Sequence, residues 1–455
     1  MALGKRSDKR QQDLWVAAGE IADTPRHVFY EKLNRLLAKA DFDRWIEKLC
    51  HPYYAEEGRE SIPPGTFFRM LLVGFFEDID SQRGIAWRCA DSLSLKQFLG
   101  YGPTEATPDH STLTNTRRRW PAKVFEEVFQ FVLALVEKHK LLQGKTVGVD
   151  STTLEANAAM KAIVRKDTGE DWNKYVTRLM REEGVIAADE QPSAEELRRY
   201  DKKRADKKVS NSEWTSPNDP DARITKMKDG RTHLAYKAEH VVDLNTGALV
   251  AAEVYTADQA DTATLKESLE QAKENLEATE SGREIEKAVA DKGYHAADTL
   301  VECQGMGVLG VKMYIPEPKA KHRRRWADKP IEQQEAVLAN RRRTRREYGK
   351  SLQRLRSELT ERSFAHVCNT GGGRRTWLCG LENVRKRYLV LAAGFNLGLI
   401  LRKLLGAGKP RAFAALCALM CLAQIALLWL VAKVWNPRGW KTYERHRWPD
   451  ATFQI

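Results

Sequence analysis

Lys145-Thr-Val-Gly-Val-Asp150 and Lys287-Ala-Val-Ala-Asp291 decide how this chain is read. Each is a short apolar run closed by an acid, the pattern of a strand that delivers a carboxylate to a sheet edge. In open α/β sheets, sites collect beyond the carboxyl ends of the strands. Working outward from these runs, Thr232 to Asp243 and Ala248 to Tyr255 read as two further strands. Asn245-Thr-Gly247 between them is a hairpin turn signal. Thr262 to Ala278 reads as a helix, Gly307 to Met313 as a strand, and Asn383 to Leu405 as part of a later helix. This order predicts a mixed α/β sheet, with both strand-end acids at its edge.

Upstream, residues 1–143 read as helical. Gly65 to Glu77 is apolar almost all round and follows Pro63-Pro64, so it predicts a buried helix with a proline start. Arg83 to Ser92 is a short second helix. Asp109 to Trp120 is a third, with Asp109 as N-cap and Pro121 as stop. Val124 to His139 is amphipathic and ends in Lys and His, as the helix dipole prefers.

The 455 residues suggest two to four domains at about 150 residues each. Lys and Arg total 75 against 62 Asp and Glu, a formal charge of +13 that favours a polyanionic partner. Residues 317–356 supply most of that surplus, with 14 Lys/Arg against 5 Asp/Glu. Residues 161–213 carry 13 Lys/Arg against 12 Asp/Glu and few large apolar groups, the composition of an exposed helical insertion spanning about 160–216. The seven cysteines are widely spaced with no C-x-x-C, which argues against a disulfide framework or zinc ribbon and suits a reducing cytosol. The polar start MALGKRSDKRQQD lacks the apolar core of a secretory signal.

The chemistry lies in the acids. Carboxylates that converge without a basic partner repel one another, and such a cluster makes sense when it holds divalent cations. Two cations held this way activate an attacking oxygen and stabilise a leaving one at phosphorus. Spacing alone leaves open the plainer role of strand-end aspartates as turn caps. A third acid is expected in Tyr348 to Val367. There Tyr348, Leu352, Leu355 and Leu359 make one apolar face, bordered by Glu358, while Glu361 lies farther round.

Val149-Asp-Ser-Thr-Thr-Leu-Glu-Ala-Asn157, Ala290-Asp-Lys-Gly-Tyr294 and Thr360-Glu-Arg-Ser-Phe364 together resemble the three acidic motifs of DDE transposases from bacterial insertion sequences. Asp219-Pro-Asp-Ala-Arg223 followed by Leu234-Ala-Tyr-Lys-Ala238 resembles the segment those enzymes place before the second strand. Pro108 to Leu113 with Arg117-Arg-Arg119 resembles their helical DNA-binding domain. The resemblance runs from about Ile62 to Leu405. It implies an RNase H-like mixed-sheet catalytic core over 144–405, a helical DNA-binding domain over 1–143 and a helical tail over 406–455. It also implies two Mg2+ ions (or Mn2+) on Asp150, Asp291 and Glu361, and a cytoplasmic enzyme that cleaves and transfers DNA strands. By the motif, Glu361 followed by Arg362 and Phe364 is the third acid, whereas periodicity points to Glu358. Cys368 and Asn369 stand where the family has a basic residue a turn later. An RNase H-like nuclease or resolvase, and a catalytically impaired DNA-binding relic, are the competing readings.

The expected partner is double-stranded DNA, as element ends and target, bound by a homodimer or larger assembly. Ser111 and Asn115 are candidates for base edges, and Arg117, Arg118 and Arg119 for phosphates. Lys292 and Tyr294 are candidates beside the scissile phosphate. Arg323, Arg324, Arg325, Arg341, Arg342, Arg343, Arg345 and Arg346 form a single-signed run suited to backbone contact. Ser151, Thr152 and Asn157 are either supports for Asp150 or ordinary turn residues. Ala412 to Ala432 has no charged residue and only Gln424 as a polar one, long enough to span a bilayer. Basic residues flank it on both sides, Lys409 and Arg411 before it and Lys433 and Arg438 after, giving no orientation. Beside so much nucleic-acid chemistry, we expect it buried in the protein or between subunits, with Cys417 and Cys421 as core thiols.

Overall fold

The computed structural model describes residues 4–5, 27–205, 209–227, 230–304, 310–319, 326 and 329–435, without the side chains of 432–435. Seven helices come first: α1 Val28–Lys39, α2 Phe42–Cys50, α3 Pro64–Phe76, α4 Gln82–Asp91, α5 Leu93–Leu99, α6 His110–Arg119 and α7 Ala122–Lys138. Then come β1 Thr146–Glu155, β2 Val164–Arg165, α8 Trp172–Glu182, α9 Ala194–Lys203, β3 Trp214–Thr215, β4 Arg223–Lys226, β5 Thr232–Asp243 and β6 Leu249–Thr256. The rest are α10 Asp261–Glu277, β7 Lys287–Val289, α11 Ala297–Gln304, β8 Lys312–Tyr314, α12 Ile331–Arg345, α13 Glu347–Phe364, α14 Leu381–Leu405 and α15 Pro410–Trp435.

Local chemistry accounts for the helix starts. Pro64 opens α3, where a missing N–H costs nothing. Asp109 caps α6 by accepting from the Ser111 N–H at 2.8 Å, and Ser193 and Glu196 form a reciprocal capping box on α9. The Asp219-Pro-Asp221 segment serves α14: Asp219 Oδ1 accepts from the Gly380 N–H at 3.0 Å and Asp221 Oδ2 from the Leu381 N–H at 2.9 Å. Carboxylates suit that end of a helix, where N–H groups point outward.

The main sheet has six strands. β5 pairs antiparallel with β1 on one side and with β6 and β4 on the other, and β1, β7 and β8 run parallel. β1 continues five residues past Asp150, which therefore sits inside a strand rather than ending one. Of the expected strand Gly307 to Met313, 307–309 lie outside the described residues, Gly310 and Val311 are not in a strand, and β8 covers Lys312–Tyr314. The charged insertion folds on itself, with α8 and α9 closing over Val176, Met180 and Leu197 and β2 pairing with β3. One contiguous apolar core runs from Phe29 on α1 to Leu401 on α14, so the N-terminal helices and the sheet share their packing.

The sheet's open edges are blocked by buried amides. Asn396 on α14 accepts from the Leu249 N–H at 3.0 Å and donates to the Leu249 carbonyl at 2.9 Å. Asn340 on α12 does the same for Ile315, just beyond β8, at 3.0 and 2.6 Å. An unpaired edge is a template for another chain, and each amide removes one such pair of groups. Side chains along β5 alternate faces, and His240 points to the face covered by α13. Its Nδ1 lies 2.8 Å from Ser363 Oγ, its Nε2 lies 2.7 Å from Tyr388 Oη, and Phe364 stacks on its ring at 4.0 Å. This fully buried ring ties β5 to both α13 and α14.

The tail departs from expectation. α15 is a helix, but large apolar side chains from Leu419 to Val431 are exposed, as are Cys417 and Cys421. The expected burial within the chain is therefore corrected: α15 lies beyond the packed core, and its thiols are not core groups. By length and composition it is sufficient to cross a membrane.

Two stability tests follow from these contacts. Replacing Asn396 with Leu leaves a buried N–H and C=O unpaired and should cost about 2–4 kcal/mol in urea unfolding, with Asn340→Leu similar. Burial pushes the His240 pKa from 6.5 to about 3, so the unfolded chain takes a proton that the folded one refuses. Stability should therefore fall as pH drops below 6.5 and continue falling toward about 3. Unfolding midpoints across that window should show a shallower decline in His240→Gln than in the wild type.

Candidate active site

Parallel pairing of β1 with β7 sets the geometry. The last paired positions are Gly148 and Val289, and two residues on in each chain stand Asp150 and Asp291. The register thus brings level the two acids expected at the site. Asp150 projects toward α13, where Arg356 Nη1 lies 2.9 Å from Oδ2 and Thr360 Oγ1 lies 3.2 Å away. Its other oxygen accepts from the Ser151 N–H at 2.9 Å. Burial pushes the Asp150 carboxyl above its ordinary range; Arg356 and the Ser151 N–H oppose that shift, and the charge of Asp291 adds to it. Asp291 Oδ1 accepts from the Gly293 N–H at 2.6 Å, which starts a single helical turn at Lys292–Tyr294.

The opposite face of β1 carries a second polar cluster. Ser151 stands across from Glu239 and Thr153 from Lys237. Ser151 Oγ donates to Asp261 Oδ1 at 3.0 Å, and Lys237 Nζ lies 3.3 Å from the same oxygen and 2.7 Å from Thr264 Oγ1. Glu239 Oε2 accepts from Thr264 and from Tyr294, both at 2.9 Å. This network braces the Asp291 turn through Tyr294 and the Asp150 strand through Ser151. Sequence reading missed Lys237, Glu239 and Asp261. Their signal was the polar alternation along an otherwise apolar β5 and an acid in the first turn of α10.

The buried stripe of α13 is Leu352, Arg356, Thr360, Ser363 and Phe364. Neither Glu358 nor Glu361 lies on it, and both are exposed. The apolar face read from the sequence is corrected here: Tyr348 is 51% exposed and Leu355 and Leu359 are half-buried, because polar Arg356 and Thr360 take the inner positions against Asp150. Glu358 pairs with Arg362 at 2.5 Å. Glu361 adjoins Thr360, and its Oε1 accepts from Ser357 Oγ at 3.3 Å. Among the described residues, no group of three His, Cys, Asp or Glu side chains is close enough to hold a metal ion. Two of the three expected acids are brought together, and the third, Glu361, is an exposed residue of α13 next to Thr360. A basic group does reach the site without a counterpart in the motif: Arg374 donates to Thr152 Oγ1 at 3.0 Å.

The DNA-facing candidates divide by burial. Ser111, Asn115, Arg118 and Lys292 are exposed. Arg117 is buried with its Nε 3.4 Å from Asn383 Oδ1, and Arg119 is half-buried over the Tyr54 ring at 4.7 Å. Tyr294 is fully buried on Glu239. Arg117 and Tyr294 therefore face the protein interior rather than a phosphate. In the basic run, Arg342, Arg345 and Arg346 are exposed, whereas Arg341 pairs with Glu317 and Arg343 donates to the Met313 carbonyl and Gln304. Arg323, Arg324 and Arg325 lie outside the described residues. Asn157 donates to the Trp377 carbonyl, away from Asp150, while Ser151 and Thr152 flank it as strand neighbours.

Residues 20–119 match the family described as Transposase domain (DUF772), and residues 204–396 match the Transposase DDE domain. The second match takes in Asp291 and Glu361 and begins after Asp150. No curated protein matches. Among solved structures, one titled "Mos1 transposase paired-end complex with left transposon end" aligns with 75% of this chain and 93% of its own at 12% identity, with a TM-score of 0.17. A DDE domain is built on an RNase H-like core, consistent with the antiparallel-then-parallel sheet described above. With transposase matches across its N-terminal helices and over its sheet, the chain belongs to the DDE transposases of insertion elements.

Proposed function

We propose that this transposase binds the ends of its element and cleaves and transfers DNA strands with Asp150, Asp291 and Glu361 as its acids. The observation that carries the reading is the level placement of Asp150 and Asp291, each two residues past the last paired position of neighbouring parallel strands, where the burial of Asp150 and the charge of Asp291 make two carboxylates costly together. Hard oxygen donors so placed fit a divalent cation, Mg2+ or Mn2+. Bound there, a pair of such ions would activate the attacking oxygen and stabilise the leaving one. The chain's own groups do the positioning. Thr360 and the Ser151 N–H fix the two oxygens of Asp150, the Gly293 N–H fixes Asp291, and exposed Lys292 stands where a backbone phosphate would approach. Glu361 is the third acid in this reading, since it adjoins the residue touching Asp150 while Glu358 is turned to Arg362.

One observation favours a second reading, the impaired relic. Arg356 already supplies a positive charge 2.9 Å from Asp150, which competes with a cation for the same oxygen. Cleavage of element-end DNA with Mg2+ separates the two. Asp150→Asn and Asp291→Asn should each abolish cleavage while leaving end binding within about threefold, because phosphate contacts carry the affinity. Glu361→Gln should be inactive and Glu358→Gln should keep measurable cleavage; the reverse would transfer the role to Glu358. A wild-type protein that binds ends and never cuts them would establish the relic.

Exposed Arg342, Arg345 and Arg346 on and beside α12 are proposed as backbone contacts, with Ser111, Asn115 and Arg118 as the end-reading group on α6. Counterion release gives about 0.9 log units of affinity per log unit of salt for each phosphate contact. Replacing the three arginines with Ala should weaken binding to any DNA and flatten the salt slope accordingly. Arg341→Ala should change the slope little, since its charge is spent on Glu317. Titrations across a salt series, on element-end and random duplexes, read both effects.

A further inference from the structure

The burial of Arg117 raises a question that the DNA chemistry does not answer. Its side chain closes one wall of a cavity of about 240 Å³ where α3, α4 and α6 meet α14. Nη1 is shielded from solvent and has no hydrogen-bond partner, and Nε has only the long contact to Asn383. The charges acting on this guanidinium are those of Arg118 and Arg387, both positive, and burial together with these neighbours pushes its pKa down to about 10. Arg387 lines the same cavity, with its own donors on the carbonyls of Arg375, Asp80 and Gly372. Among the described lining residues the acid is Asp80. It is exposed, and its Oδ2 accepts from the Trp377 indole at 2.8 Å. A buried cation without a counter-charge is costly, and the shortfall here is one of negative charge.

The remaining walls are apolar, with Phe75, Ile79, Phe125 and Leu391 among them, and Trp377 stands at the mouth beside Arg83 and His110. A bare inorganic ion would satisfy the arginine and leave these walls uncovered, while a neutral apolar molecule would do the reverse. Pockets of this kind take ligands whose body is apolar and whose few polar atoms meet fixed partners. We propose that this cavity is a binding site for a small aromatic carboxylate, its carboxylate on Arg117 and its ring against Phe75 and Leu391. Bound there, the ligand ties α6 to α14 and so joins the helix carrying Ser111, Asn115 and Arg118 to the catalytic half of the chain. The site is separate from the acids at Asp150 and Asp291, and the proposal stands whether or not those acids cut DNA.

Fluorine NMR on the full chain tests this with 4-fluorobenzoate and its neutral twin, 4-fluorobenzamide. Charge-assisted hydrogen bonding to a buried guanidinium should favour the carboxylate by about tenfold or more. Arg117→Met should erase that preference. Because Arg117 is buried and its loss can unsettle the fold, Leu391→Trp provides a second variant, which fills the cavity with the arginine in place and should abolish binding of the benzoate. Thymidine 5′-monophosphate serves as the competing probe. Equal affinity for benzoate and benzamide overturns the proposal, as does benzoate binding undiminished in Leu391→Trp. Displacement of the benzoate by low concentrations of the nucleotide also overturns it, assigning the cavity to DNA instead of a free acid.

Discussion

Two partly buried carboxylates, held level just past the paired stretch of adjacent parallel strands, set the terms for everything around them. Like charges in that setting must be shared with a cation, protonated or offset by neighbours. In this chain the offset comes from Arg356 and Thr360 on α13 and from N–H groups of Ser151 and Gly293. The position of α13 is therefore part of the chemistry. It is fixed by His240, whose neutral ring spans Ser363 and Tyr388 beneath the same helix. Burial disfavours charge on that ring, and a hydroxyl stands at each of its two nitrogens.

β1 is the organising strand because its side chains alternate. Asp150 and Thr152 face α13 and Arg374, whereas Ser151 and Thr153 face the Lys237, Glu239 and Asp261 cluster. The second face holds both the strand and the Asp291 turn from behind, through Ser151 and Tyr294. Such buried polar networks specify geometry when every member finds a partner.

The outer parts of the molecule follow a different logic. Asn396 and Asn340 close the sheet with paired amide contacts, so the catalytic half needs no further strand from another chain at those positions. α15, by contrast, carries exposed apolar side chains along most of its length. Positive charge is also unevenly used. Several arginines of the basic run are already paired inside the fold, and the surplus that reaches solvent is smaller than the count suggests.

The sequence by itself determined many of the elements and singled out two acids that the fold brings level. Apolar runs ended by Asp150 and Asp291, the hairpin at Asn245–Gly247, the cap at Asp109 and the proline start at Pro64 are local signals, and local hydrogen bonding and sterics are enough to realise them. Tertiary structure decided what those signals could not carry. The extension of β1 past Asp150 depends on five further residues, Ser151 to Glu155, finding partners on β5, which polar Ser151, Thr152 and Thr153 do not advertise. The inner face of α13 was misread because its buried positions are Arg356 and Thr360, whose burial is favourable only when Asp150 is opposite. Arg117 and Tyr294 looked like DNA contacts for the same reason: charge and polarity predict exposure until a fold supplies a cavity wall or a Glu239 to meet them. Periodicity reports how apolar a face is, and a polar group brought into the interior by a distant partner leaves no trace in it.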